Sequence, residues 1–214
     1  MVYNCFDTET TALDPVEGEL LTGYFAIFDD KFNFLEDLDI VTGPSRNLED
    51  YKITAKAMEI NKINLQDHVA RLDFLNYEEC RKFLFDWFEK MKAKYHPGRG
   101  AVFIAVGQNV PFDIEWLGAK LKISKDEWEY YFNRRNRDTS TNATFLKDAG
   151  IIPEHIAGLG GLCEYFGLKM GEAHVAKEDV HMTMRLHRKM LELVRGRKNE
   201  MSGIPLDILK IIEG

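Results

Sequence analysis

Apolar residues change their spacing partway along this chain, and the change limits the folds open to it. Early on they come in short runs, at 2–6 and 20–28, and then as Phe34, Leu38 and Ile40 among acids in 34–41. Runs of that length, bounded by polar turns, predict β-strands. Phe28-Asp29-Asp30-Lys31-Phe32-Asn33 reads as a hairpin turn, so the three strands predict an antiparallel meander. Later segments carry helical spacing: 54–63, 77–95, 111–121, 139–149, 156–166 and 177–195. In 77–95, Phe83, Leu84, Trp87, Phe88 and Met91 recur at about 3.6 residues, with Asn76 placed to cap. Pro111 suits a first helical turn and Gly167 a position just past a helix end. The apolar run 101–106 predicts one more strand, buried on both faces, while 124–138 fits neither period. Strands first, then strands alternating with helices, predict an α/β fold on a mixed sheet.

A chain of 214 residues suits one main domain, expected over 1–198. Ser202-Gly203-Ile204-Pro205 breaks the pattern, so 199–214 reads as a C-terminal tail ending in apolar residues, either packed on the domain or docking a partner. No apolar run is long enough to span a bilayer, and Asp7 and Glu9 interrupt any leader-like start, so no membrane association is expected. Three cysteines, Cys5, Cys80 and Cys163, are widely spaced and odd in number, which argues against a disulfide framework and for a reducing, cytoplasmic setting. The formal charge of −7 makes a poor non-specific nucleic-acid binder, unless basic surface or bound cations compensate locally. Two basic clusters are candidates: Arg134, Arg135 and Arg137, and Arg185, Arg188 and Lys189.

Three acidic segments stand out. Asp7 and Glu9 end the first strand two residues apart, so both carboxylates share one face and repel unless a cation lies between them. Asp113 opens a helix directly after the buried strand, beyond a sheet edge that favours ligand sites. Asp179 heads the last long helix and shares a face with Thr183, Leu186 and Met190, with His174 in the loop before it. Each has an ordinary reading alone: a solvated strand end, an acid favoured by a helix dipole, a surface histidine.

Together the segments are more specific. Phe6-Asp7-Thr8-Glu9-Thr10-Thr11, then Asn109, Phe112 and Asp113, then His174, Ala176 and Asp179 resemble the three motifs of the DnaQ-like 3′–5′ exonucleases. The likeness runs over nearly the whole chain, and Arg137-Asp138-Thr139 and 159–167 resemble the segments between the second and third motifs. Histidine five residues before the last aspartate, with Val175 rather than tyrosine four before it, places the resemblance in the DEDDh branch. Ala12 and Gln108 depart from the glycine and histidine the family often carries there.

The resemblance implies a ribonuclease H-like mixed β-sheet flanked by α-helices. It implies two divalent ions, Mg²⁺ or Mn²⁺, held by Asp7, Glu9, Asp113 and Asp179, with His174 as general base. It also implies that Thr8, Thr10, Leu13, Asn109 and Phe112 contact the terminal nucleotide, and that 58–63 falls where the family has a further base-contacting helix. The expected activity is 3′–5′ hydrolysis of single-stranded DNA or DNA 3′ ends to nucleoside monophosphates. RNA trimming and a polymerase-associated proofreading or accessory role are the alternatives. Oligomeric state is left open.

Overall fold

The computed structural model describes residues 1–95, 102–169 and 176–201, with side chains up to residue 196 in the last stretch. Within them lies a six-stranded sheet, β1 (Tyr3–Thr10), β2 (Leu20–Phe28), β3 (Phe34–Gly43), β4 (Phe74–Asn76), β5 (Ile104–Gly107) and β6 (Arg137–Asp138), in the order β4-β3-β2-β1-β5-β6. The expected meander is present: β1 pairs antiparallel with β2, and β2 with β3. β5 lies parallel to β1, β6 parallel to β5, and β4 parallel to β3.

Eight α-helices occur among the described residues: α1 (Ala55–Asn61), α2 (Leu65–Ala70), α3 (Tyr77–Tyr95), α4 (Val110–Leu121), α5 (Lys125–Tyr131), α6 (Thr139–Asp148), α7 (Gly158–Tyr165) and α8 (Ala176–Met201). The two-residue period of β1 divides it between two cores. Phe6 joins Phe25, Ile27 and Leu38 under Leu84, Trp87 and Phe88 of α3, Trp116 of α4 and Trp128 of α5. Tyr3 and Cys5 face the other way, with Tyr24, Ala26 and Val106, against Val180 and Met184 of α8. A third cluster seats α6 and α7 on the far part of α8 through Leu146, Leu162, Met182 and Leu186.

The helix ends follow their sequence signals. Asn76 Oδ1 accepts from the backbone N–H groups of Glu78 and Glu79, and Glu79 answers by accepting from Asn76 N. Gly167 takes φ +69°, and the N–H groups of Gly167 and Leu168 reach back to Glu164 O and Cys163 O, closing α7.

Three features extend the sequence reading. The run 124–138 contains α5, opened by a capping box between Ser124 and Glu127, and then the two-residue β6. α2 and β4 lie within 65–76, a stretch for which the sequence predicts no element. β1 runs on to Thr10, one residue past Glu9, so Asp7 and Glu9 lie within paired strand. The N-terminal part of the strand expected at 101–106, the loop with His174, and the tail apart from its first backbone residues lie outside the described residues.

Phe25 is fully buried at the centre of the sheet, and Phe83 is 46% exposed on α3. Phe25→Ala should cost about 3–5 kcal/mol in urea unfolding, and Phe83→Ala under about 0.5 kcal/mol. Equal losses would contradict this core assignment.

Candidate metal centre and substrate cleft

The site forms where two helical layers converge on the end of β1. Asp7 and Glu9 continue the Tyr3–Cys5 face, towards α8. That helix brings Asp179 in its first turn, held against the strand by Val180 packing and by a Cys5 Sγ–Val180 O contact of 3.5 Å. Carboxylate oxygens of Asp7, Glu9 and Asp179 all lie within 4.8 Å of one another.

Asp113 arrives from the opposite layer. It sits in the first turn of α4, 2% exposed, and its Oδ1 accepts from Thr8 N at 3.0 Å and from Thr8 Oγ1 at 2.7 Å. It thus stands beside the three-carboxylate group, with one oxygen engaged by Thr8.

The turn that delivers Asp113 is tightly held. A Cβ on Gly107 would meet Val110 Cγ2 at 2.8 Å and Phe6 O at 3.3 Å, so only glycine fits there. Asp138 Oδ1 accepts from Asn109 N at 3.1 Å while capping α6, and Thr139 Oγ1 donates to Gly107 O at 3.1 Å. This gives the Arg137-Asp138-Thr139 segment a positioning task.

Electrostatics explains what the cluster lacks. Burial, then Asp113, Glu9 and Asp179, push the Asp7 carboxyl well above its ordinary range. Burial, then Asp179 and Asp113, push Glu9 up to about 8. Burial pushes Asp113 up to about 7 against the opposing Thr8 hydrogen bonds. Among the described residues no ion pair reaches Asp7, Glu9 or Asp113. Half-buried carboxylates this close resist ionising together without added positive charge. Oxygens within 4.8 Å of one another are close enough to share a hard cation, whose metal–oxygen distances are ~2.1–2.4 Å. The donor set therefore fits a divalent, oxygen-preferring ion.

Beside the carboxylates opens a cleft of about 520 Å³ with a mainly apolar lining. Thr8, Glu9, Thr10, Leu13 and Phe112 line it, and Leu13 is 84% exposed. Of the expected substrate contacts, Asn109 is not in this lining; it is exposed, with φ +69° in the turn before α4. α1 supplies a wall that only the loose 58–63 match had indicated, through Lys56, Ala57, Ile60 and Asn61. The basic clusters are partly committed elsewhere: Arg134 pairs with Glu129 at 2.7 Å, and Arg188 with Glu192 at 2.8 Å.

A meander extended by parallel strands, with helices on both faces and a carboxylate cluster at the end of β1, defines the class: an α/β protein of ribonuclease H-like fold. The sequence is 25% identical over 191 residues to the DNA polymerase III subunit epsilon of Treponema pallidum (strain Nichols), covering 89% of this chain and 77% of that one. E. coli exonuclease I in complex with a dT13 oligonucleotide superposes with a TM-score of 0.68 at 19% identity, covering 93% of this chain and 42% of that chain. The zinc-bound form of its complex with single-stranded DNA gives 0.67 at 21%, covering 92% and 41%. The chain therefore spans less than half the length of the exonuclease I chains it matches. No protein-family model matches the sequence. No helix among the described residues is long and apolar enough to cross a membrane.

A carboxyl with a raised folded-state pKa keeps a proton that the unfolded chain has released. The stability this proton carries is present at low pH and is lost as pH rises through the folded value, here about 8 for Glu9. Metal-free protein should therefore melt at a lower temperature at about pH 8 than at about pH 6. At about pH 8, Mg²⁺ at a hundredfold excess over Kd should raise Tm by about 5–10 °C. A Tm indifferent to Mg²⁺ would contradict the assignment.

Proposed function

We propose that this chain is a metal-dependent 3′–5′ exonuclease that releases nucleoside 5′-monophosphates from single-stranded DNA. The carrying observation is the adjacency of the Asp7–Glu9–Asp179 cluster to an apolar cleft of about 520 Å³, large enough to seat a nucleotide's base and sugar. Relatives with the same fold are described in complex with single-stranded oligonucleotides, which supports the choice of substrate.

In this reading Asp7, Glu9, Asp113 and Asp179 hold two divalent ions, Mg²⁺ or Mn²⁺. Bound there, such ions supply Lewis-acid stabilisation of charge at phosphorus and lower the pKa of bound water. The chain's own groups do the rest. Thr8 fixes Asp113 through two hydrogen bonds, so this carboxylate is held in one orientation against β1. Phe112 and Leu13 offer apolar surface to the terminal base, a contact that tolerates any sequence. Thr8 and Thr10 border the end of the strand. An imidazole nitrogen of His174 takes the proton of the attacking water, a task that suits a group of ordinary pKa near 6.5. The new P–O bond forms as the P–O3′ bond breaks, the 3′ oxygen gains a proton, and the shortened strand keeps a free 3′-hydroxyl.

A proofreading role beside a polymerase is the second reading, favoured by the relative that is a DNA polymerase III subunit. DNA is preferred over RNA because the Asp-Thr-Glu-Thr-Thr form of the first motif resembles the proofreading members of the family.

5′-labelled DNA and RNA strands, incubated with Mg²⁺ or chelator, test the proposal. A ladder shortening from the 3′ end, faster on DNA and absent in chelator, is expected. Asp7→Asn should lower the rate by at least about a thousandfold. His174→Ala should lose about a hundred- to ten-thousandfold while retaining the Mg²⁺-dependent rise in Tm. Intact strands with both Mg²⁺ and Mn²⁺ would overturn the reading.

A further inference from the structure

One wall of the cleft that Phe112 also lines is a helix of only seven residues, α1. A helix this short is marginal on its own, so something outside it must hold it in place. Its exposed residues do not: Ile60 is 43% exposed, and among the residues of α1 only Asn61 is buried.

Hydrogen bonds to β1 and the chain just beyond it hold both ends. At the N-terminal end, Thr54 N and Thr54 Oγ1 both donate to Thr11 O, at 2.8 and 2.9 Å. At the C-terminal end, the Asn61 side chain is 7% exposed; its Nδ2 donates to Thr10 O at 3.0 Å, while its Oδ1 accepts from Ile63 N at 2.9 Å. The acceptor residue has a particular place. The β1–β2 register shifts between Glu9 and Thr10, so that Glu9 faces Thr22 but Thr10 faces Leu20. Thr10 lies where the ladder is interrupted, and the Asn61 amide supplies a donor to its carbonyl.

We infer that Asn61 is a positioning residue for the substrate: by tying α1 to Thr10 O it fixes the distance between the α1 wall and Phe112, and so the grip on the terminal nucleoside. Asn61 acts through α1, because its amide is engaged with Thr10 O and Ile63 N. The inference rests on the exonuclease reading for the identity of the ligand, but the staple is a property of the chain itself.

Asn61→Asp is the discriminating variant. It keeps the shape and the acceptor for Ile63 N but loses the donor to Thr10 O. KM for a short single-stranded DNA should rise about tenfold, with kcat changed less than about twofold. Amide hydrogen exchange across residues 55–61 should quicken while exchange in β2 and β3 stays as in the parent. Thr54→Val removes the hydroxyl of the other staple and should move KM and exchange in the same direction; it carries the test if Asn61→Asp does not fold. Parent KM in the folded variant, or a loss confined to kcat, would overturn the inference.

If the parent protein itself leaves strands intact, the exonuclease reading fails separately. Exchange at 55–61 and anisotropy of a labelled strand then decide the staple. Faster exchange with weaker strand binding supports it, and parent values of either overturn it.

Discussion

Repulsion among carboxylates at the end of β1 is the constraint around which this molecule is arranged. Asp7 and Glu9 must share a face because a strand alternates, and α8 adds Asp179 to the same face. Burial then makes each charge more costly, and Asp113 adds a fourth carboxyl from the other layer. A fold selected only for stability would place apolar residues or a counter-charge here. Instead no ion pair among the described residues reaches Asp7, Glu9 or Asp113, and much of the surrounding structure maintains that arrangement. The Thr8 hydrogen bonds, the glycine at 107 and the Asp138–Thr139 brace each fix one element against β1.

The same geometry joins chemistry to recognition. β1 carries Asp7 and Glu9 on one face, and beyond Glu9 its register shifts, turning the chain into the loop that bears Leu13. That loop closes on itself: Thr11 N donates to Glu19 O, and Glu19 N to Thr11 Oγ1. Buried Glu19 is in turn held by Lys120 at 2.9 Å and by the Tyr77 hydroxyl at 2.7 Å. A cleft with walls anchored this way meets its ligand with little left to order, which favours binding.

Much of this was legible in the sequence, for physical reasons. The meander showed because half-buried strands and their hairpin turn leave a plain pattern. The carboxylates showed because three short motifs recur in a fixed order, and Asp7, Glu9 and Asp179 do meet. α5 was readable in principle from Ser124 and Glu127, but its aromatic residues masked the period. β4 is three residues long and pairs in parallel with a distant strand, so no local signal marks it. The role of Asn61 was invisible because its partner lies 51 residues away in sequence and is a carbonyl oxygen, which every residue has. Asn109 matched its motif, yet the structure places it in the turn before α4 and outside the cleft lining, because the left-handed turn there keeps it exposed.

The most direct test of the central claim is where a cation binds. Crystals soaked in Mn²⁺ and measured at the manganese absorption edge would give an anomalous map free of assumptions about activity. The account predicts its strongest peak between the carboxylates of Asp7, Glu9 and Asp179. A map without a peak there at saturating Mn²⁺, or with its strongest peak elsewhere, would contradict it.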